Sequence, residues 1–115
     1  MNINPLIESA LSGLTFGGKT VFYAPLVIPD NKKGKAYCTY YTYLEHDVVY
    51  ADDEPQEAET FGTVDIFCKG DYKSLLQDVK GRLCSAGFII GDVGPELYEN
   101  DTGYYHVPVN IYMEG

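Results

Sequence analysis

Residues 60–90 read TFGTVDIFCKGDYKSLLQDVKGRLCSAGFII, and this stretch decides the fold because it carries three structural signals in succession. Apolar and polar residues alternate over the first nine positions, which is typical of a half-buried strand with Val64 and Ile66 facing inward. Asp71 then caps a helix whose apolar side chains recur on one side until Gly87 ends it. A short apolar strand follows. The segment therefore predicts a helix packed on a β-sheet.

The N-terminal part of the chain predicts a second helix and two more strands. The helix is capped by Asn4, and the glycines that start at Gly13 end it. Residues 20–28 and 36–46 alternate as strands do, and the lysine-rich turn between them predicts that they pair as a β-hairpin. Pro25 has no N–H to donate, so it places the first of these strands at an edge of the sheet.

Residues 96–99 and 104–113 predict another hairpin, with its turn at Gly103. The resulting order, α-β-β-β-α-β-β-β, favours a single α+β domain over residues 1–115. Its sheet would be antiparallel or mixed, with two helices packed on one face.

The other face of the predicted sheet would be lined by aromatic side chains. A monomer rarely leaves such a patch to water, so these positions are candidates for a subunit interface. They are Tyr41, Tyr43, Phe61, Phe67, Tyr104 and Tyr112.

The charge balance is acidic, with 17 Asp and Glu against 8 Lys and Arg and a formal net charge of −9. This charge balance argues against a nucleic-acid-binding function, because phosphates are bound by Lys and Arg. It remains compatible with binding a basic protein, mimicking nucleic acid, or lining a passage for DNA. Seven acids and no Lys or Arg fall within residues 45–59, which form either a solvated loop or a negative surface with a function.

Cys38, Cys68 and Cys84 lie in apolar runs without the spacing of a metal-binding or redox motif. We expect all three to be free, buried thiols in a reducing compartment. His46 and His106 lie far apart in the sequence, and no catalytic, zinc or phosphate-loop motif is present. We therefore expect no enzymatic activity and no cofactor. No apolar run approaches the roughly 20 residues of a membrane span, so no membrane partner is expected either.

Four short motifs give the sequence a resemblance to a known family. They are YADDEP at residues 50–55, VDIFCKGDY at 64–72, AGF at 86–88 and GPELYENDTGYYH at 94–106. In this order they resemble the small tail-completion, or tail-terminator, proteins of long-tailed phages and prophages, chiefly those of Gram-positive bacteria. With the N-terminal helix and first hairpin included, the resemblance covers most of the chain.

This resemblance implies a structural subunit that forms a ring, usually of six copies, which caps the finished tail tube and joins it to the head. Its implied partners are itself, the tail tube protein and a head-completion or connector protein. DNA would pass through the ring without specific binding, and a negative lining would keep the duplex from adhering. The candidate channel-facing acids for such a ring are Asp52, Asp53, Glu54, Glu57 and Glu59. The implied location is the host cytoplasm during assembly and then the virion tail.

An acidic inhibitor, such as an immunity protein that covers a basic enzyme site, fits the composition as well. Self-association separates the two hypotheses. An inhibitor should remain a monomer or dimer at micromolar concentration, whereas a terminator should be able to close a ring.

Overall fold

The computed structural model describes residues 3–44 and 60–113, which form a mixed β-sheet and two α-helices. In chain order the elements are α1 (Asn4–Leu11), β1 (Thr15–Phe16), β2 (Lys19–Thr20), β3 (Phe22–Pro25), a 3-10 turn (Asp30–Lys32), β4 (Ala36–Leu44), β5 (Thr60–Cys68), α2 (Tyr72–Ser85), β6 (Ile89–Val93), β7 (Leu97–Tyr98) and β8 (Tyr105–Met113). In these two ranges, no helix has the length and apolar character needed to cross a membrane.

The main sheet has the strand order β3-β4-β5-β8-β6, and β7 also pairs with β8. All pairs are antiparallel except β3 with β4, which is parallel. The predicted α+β class with a mixed sheet is confirmed. Pro25 lies in β3 at an edge of this sheet, as its missing N–H predicted.

The predicted hairpin between residues 20–28 and 36–46 is wrong. β3 runs parallel to β4, with Phe22 opposite Tyr37 and Pro25 opposite Tyr40. The connection over residues 26–35 carries the chain back along the whole of β3 before β4 begins. An extended chain spans about 3.3 Å per residue, so this connection is long enough for the return. The turn-forming residues of this connection therefore lie in a crossover between parallel strands and do not form a β-hairpin turn.

Both helices pack on the same face of the sheet, as predicted. Their buried side chains meet the inward residues of β4, β5 and β8, which alternate along each strand. The residues of this core from the helices are Ile7, Leu11, Leu75, Val79 and Leu83, and those from the three strands include Cys38, Tyr40, Val64, Ile66, Val107, Val109 and Ile111.

Arg82 joins the two helices. Its guanidinium Nη1 donates to the Ser12 carbonyl at 2.8 Å and to the Ala10 carbonyl at 3.4 Å, and its Nε pairs with Asp78 at 3.3 Å. Cationic side chains at the C-terminal end of a helix satisfy carbonyl groups that have no partner within the helix. Arg82 of α2 therefore satisfies carbonyl groups at the C-terminal end of α1.

The boundaries of α2 follow the sequence prediction. The Asp71 carboxylate accepts from the Lys73 amide at 3.2 Å, so Asp71 is the cap. Gly87 has a positive φ of 99°, and the Phe88 amide donates to the Leu83 carbonyl at 3.1 Å. This is the glycine-terminated helix end that the sequence indicates.

The N-terminal helix differs from its prediction at its first residues, whereas Gly13, with a φ of 79°, directly follows the C-cap Ser12 as predicted. Ile3 occupies the cap position, and Asn4 is the first helical residue, followed by Pro5. The pair Gly17-Gly18 lies beyond the helix and forms the turn of the small β1–β2 hairpin, with φ of 59° and 78°. Two successive positive φ values suit a two-residue hairpin turn, and glycine adopts them without steric strain.

The three cysteines are free, but only two of them are buried. Cys38 and Cys68 lie in the core between the sheet and the helices, whereas Cys84 is exposed on α2. The expectation that all three are protected is therefore wrong for Cys84. Its neighbour Leu83 faces the core, and consecutive helical residues point about 100° apart, so the next position turns outward.

We expect one thiol of the native protein to react rapidly with a thiol reagent and two to react only on unfolding. Burial raises the pKa of Cys38 to about 12 and also raises that of Cys68, which lowers the thiolate fraction in both. The measurement is the number of thiols labelled before and after denaturation. Cys84→Ser should remove the rapid phase completely, and a rapid phase that persists in this variant would contradict the assignment.

Candidate functional site

The face of the sheet opposite the helices is the candidate functional surface, and we call it the open face. Residues paired in register lie on the same face of a sheet. Tyr37, Phe67 and His106 are paired in this way across β4, β5 and β8. By the same register, the open face contains Phe22 and Ala24 from β3, Thr39 and Tyr41 from β4, Phe61, Thr63 and Asp65 from β5, and Pro108, Asn110 and Tyr112 from β8.

One end of the open face is covered by the connection between β3 and β4. Ile28 in this connection packs with Tyr37 and Tyr104, and all three are between 4% and 6% exposed. The Tyr104 hydroxyl donates to the Gly34 carbonyl at 2.5 Å. Together with Phe67, which packs against them, these residues form what we call the covered cluster: Ile28, Tyr37, Phe67 and Tyr104.

The aromatic rings of the covered cluster meet in favourable geometries. Tyr37 stacks on Phe67 with centroids 4.5 Å apart, and Tyr104 meets Tyr37 edge-on at 5.2 Å. The Lys69 ammonium lies 4.7 Å from the Tyr104 ring centroid, and the Lys33 ammonium lies 5.6 Å from that of Tyr37. Burial raises the pKa of both tyrosines. The cluster thus holds the connection against the sheet.

Asp65 and His106 form a hydrogen-bonded pair at the middle of the open face. His106 Nε2 lies 2.9 Å from Asp65 Oδ1, and the imidazole stacks on Phe67 with centroids 4.3 Å apart. The hydrogen bond and the stacking contact fix the orientation of the imidazole ring. Sequence reasoning missed it because the partners are 41 residues apart, and the available signal was the carboxylate in an otherwise apolar strand. The part of the chain that is described contains no group of three potential metal ligands.

The other end of the open face carries aromatic residues without a covering segment among the described residues. Tyr41 is 42% exposed, Ile89 is 41% exposed, and Phe61 stacks on Tyr112 with centroids 5.7 Å apart. We call Tyr41, Phe61 and Tyr112 the outer strip. They lie at the end of the sheet where the chain leaves β4 and returns in β5.

The predicted interface residues thus divide between two environments. Phe67 and Tyr104 belong to the covered cluster, and Tyr104 is too deeply buried to be offered to a partner in this conformation. Tyr41, Phe61 and Tyr112 belong to the outer strip, while Tyr43 lies opposite Phe61 in the β4–β5 register. The predicted channel-facing acids, Asp52, Asp53, Glu54, Glu57 and Glu59, lie outside the described residues.

Two further groups of exposed apolar residues lie at the opposite edges of the sheet. We call the first the near edge; it lies at β3 and the start of the following connection, with Phe22 41%, Leu26 71% and Val27 78% exposed. We call the second the far edge; it lies at β6 and β7, with Ile89, Val93, Leu97 and Tyr98 between 38% and 55% exposed. Sequence alternation predicted Leu26 and Val27 as strand residues and gave no sign of this exposure.

Comparison with known proteins finds no protein-family model that matches this chain and no curated protein that matches it.

Proposed function

We propose that this protein is a structural subunit of a long-tailed phage or prophage that forms a ring, caps the finished tail tube and joins the tail to the head. The observation that carries the proposal is the placement of exposed apolar residues at two opposite edges of one sheet. Several exposed apolar residues grouped at one edge indicate a surface that a partner covers.

The arrangement of the two edges favours a ring over a two-fold dimer. A two-fold dimer uses the same patch on both subunits, whereas two different patches on opposite sides support head-to-tail contact. Head-to-tail contact closes into a ring when the rotation between subunits allows it. Six copies is the number that the family resemblance implies.

The outer strip, in which Tyr41 is 42% exposed, supplies a further surface for the neighbouring parts of the tail. Tyrosine is enriched at protein interfaces because an apolar ring and a polar hydroxyl tolerate both water and burial. Tyr41 and Tyr112 have this character at one end of the sheet, away from the covered cluster. We assign this end to contact with the tail tube protein or the head connector. An inhibitor with a single target site would not need exposed apolar residues at both edges of the sheet.

The test uses tail tubes purified from the phage or prophage whose genome encodes this chain. Negative-stain images of tubes mixed with the protein should show a ring at one end of each tube, with averaged views of about six subunits. Bare tubes from the same preparation are the control. Light scattering of the free protein shows whether the ring closes without the tube. Tube ends that stay bare at saturating protein would contradict the proposal. Tight binding to one basic enzyme would favour the hypothesis that the protein is an acidic inhibitor.

A further inference from the structure

We propose that the near edge and the far edge are complementary halves of one interface, so that the near edge of each copy docks on the far edge of the next. The proposal deepens the proposed function, on which it rests for the closed ring. The contact itself requires only that two copies of this chain meet. The occupant of each edge is therefore a second copy.

The near edge presents two large apolar side chains on a strained turn. Leu26 has a φ of 63°, a conformation that residues with a Cβ avoid, and the Val27 amide donates back to the Pro25 carbonyl at 2.7 Å. Glycine or asparagine would satisfy this turn with less strain. A leucine that is 71% exposed makes little contact within the chain. Backbone strain that the local fold does not require is a mark of a functional position.

Neither edge is suited to extending the sheet into a neighbour. Pro25 has no N–H at the near edge, and its carbonyl already accepts from Val27. The pairing of β6 with β8 is irregular between Ile90 and Val93, which disturbs the backbone of the far edge. Edges of this kind resist uncontrolled strand addition. The contact is therefore made by side chains.

The chain segments that contain the two edges also differ in the sign of their charge. Residues 19–35 contain four lysines and one acid, Asp30, in a chain whose net charge is −9. Lys32 lies over the exposed Phe22 ring, with its ammonium 4.8 Å from the centroid. Residues 89–103 contain four acids and no Lys or Arg. Such complementarity orients two surfaces and disfavours near-to-near and far-to-far contacts, which would bring like charges together.

Both halves of this match lie on the same chain, and three strands, β4, β5 and β8, separate them within the sheet. They cannot meet within one molecule. A second copy supplies each edge with an apolar surface to pack against and with the opposite charge. It does so in one orientation only. This fixes the association as head-to-tail.

The experiment blocks each edge separately and then mixes the variants. Val27→Asp puts a charge in the near edge, and Leu97→Ser removes an apolar side chain from the far edge. Sedimentation velocity up to about 1 mM protein should show wild-type association, and each variant alone should associate at least about tenfold more weakly. An equimolar mixture retains one intact near edge and one intact far edge. It should form one-to-one dimers and nothing larger.

Two further variants separate docking from folding. Leu26→Gly removes the exposed side chain and the backbone strain together, so thermal stability should be unchanged or higher while association falls at least about tenfold. Leu6→Asp alters an exposed apolar residue of α1 outside both edges, and it should associate as the wild type does.

The outcomes test the edge interface and the proposed tail function separately. Wild-type protein that stays monomeric at about 1 mM, or Val27→Asp and Leu26→Gly variants that associate normally, would overturn the edge interface. Neither result would by itself remove the proposed tail function, which the tube images decide. Loss of association in the edge variants, together with bare tube ends, would keep the interface and reject the tail function.

Discussion

Raising the pH above about 10 is expected to destabilise this protein steeply, because buried acidic groups keep their protons only while the chain is folded. Burial raises the pKa of Cys38 from its ordinary value to about 12. Burial, followed by a hydrogen bond to Glu8, raises the pKa of Tyr40 as well. The Tyr40 side chain is 1% exposed, and its hydroxyl donates to the Glu8 carboxylate. Both groups must lose their protons when the chain unfolds in alkali.

The direction and size of the effect follow from proton linkage. These groups have a higher pKa in the folded state than in the unfolded state, so their contribution is fully present below the unfolded pKa. It is lost as the pH rises through the folded pKa. Each group that is protonated only in the folded state lowers the free energy of unfolding by roughly 1.4 kcal/mol per pH unit. Cys38 and Tyr40 together should therefore produce a fall of roughly 3 kcal/mol per pH unit above about pH 10.

Urea denaturation at a series of pH values measures this slope. Cys38→Ala and Tyr40→Phe remove one titrating group each, so each variant should show a shallower fall than the wild type. Cys84→Ser changes an exposed thiol and is the matched control. A free energy of unfolding that stays level between about pH 9 and pH 12 would contradict the burial of these groups.

Replacing Tyr104 with alanine should destabilise the protein by about 3 kcal/mol, since truncation of a buried aromatic residue typically costs 3–5 kcal/mol. The ring is 6% exposed and contacts both Tyr37 and Phe67, so its loss leaves a cavity under the connection. Tyr104→Phe keeps the ring and removes only the hydrogen bond to the Gly34 carbonyl. It should cost about 1 kcal/mol. Chemical denaturation of the three proteins gives both values.

The same pair of variants tests whether Tyr104 holds the connection between β3 and β4 against the sheet. If the connection loosens in Tyr104→Ala, it should expose Tyr37 and Phe67, and binding of a hydrophobic dye should increase. Tyr104→Phe should leave dye binding at the wild-type level. Equal loss of stability in both variants would assign the effect to the hydroxyl alone, and no loss in either would show that Tyr104 does not hold the connection.

The local sequence determined those parts of the fold whose signals lie within a few residues of one another. The cap at Asp71, the glycine at Gly87 and the apolar stripe between them fix α2 because helix hydrogen bonds and side-chain contacts are local. Alternation in residues 60–68 and 105–113 assigned each side chain to the correct face, since the period of a strand is two. The α+β class followed from the order of these elements.

Only the tertiary structure decided what covers each face. The parallel pairing of β3 with β4 depends on the path of residues 26–35, and local turn residues suit a return path as well as a hairpin. That path buries Tyr104 and leaves Leu26 and Val27 exposed. The Asp65–His106 pair likewise joins residues 41 positions apart. Burial, edge position and long-range pairing depend on contacts between distant segments, and no short window of sequence contains them.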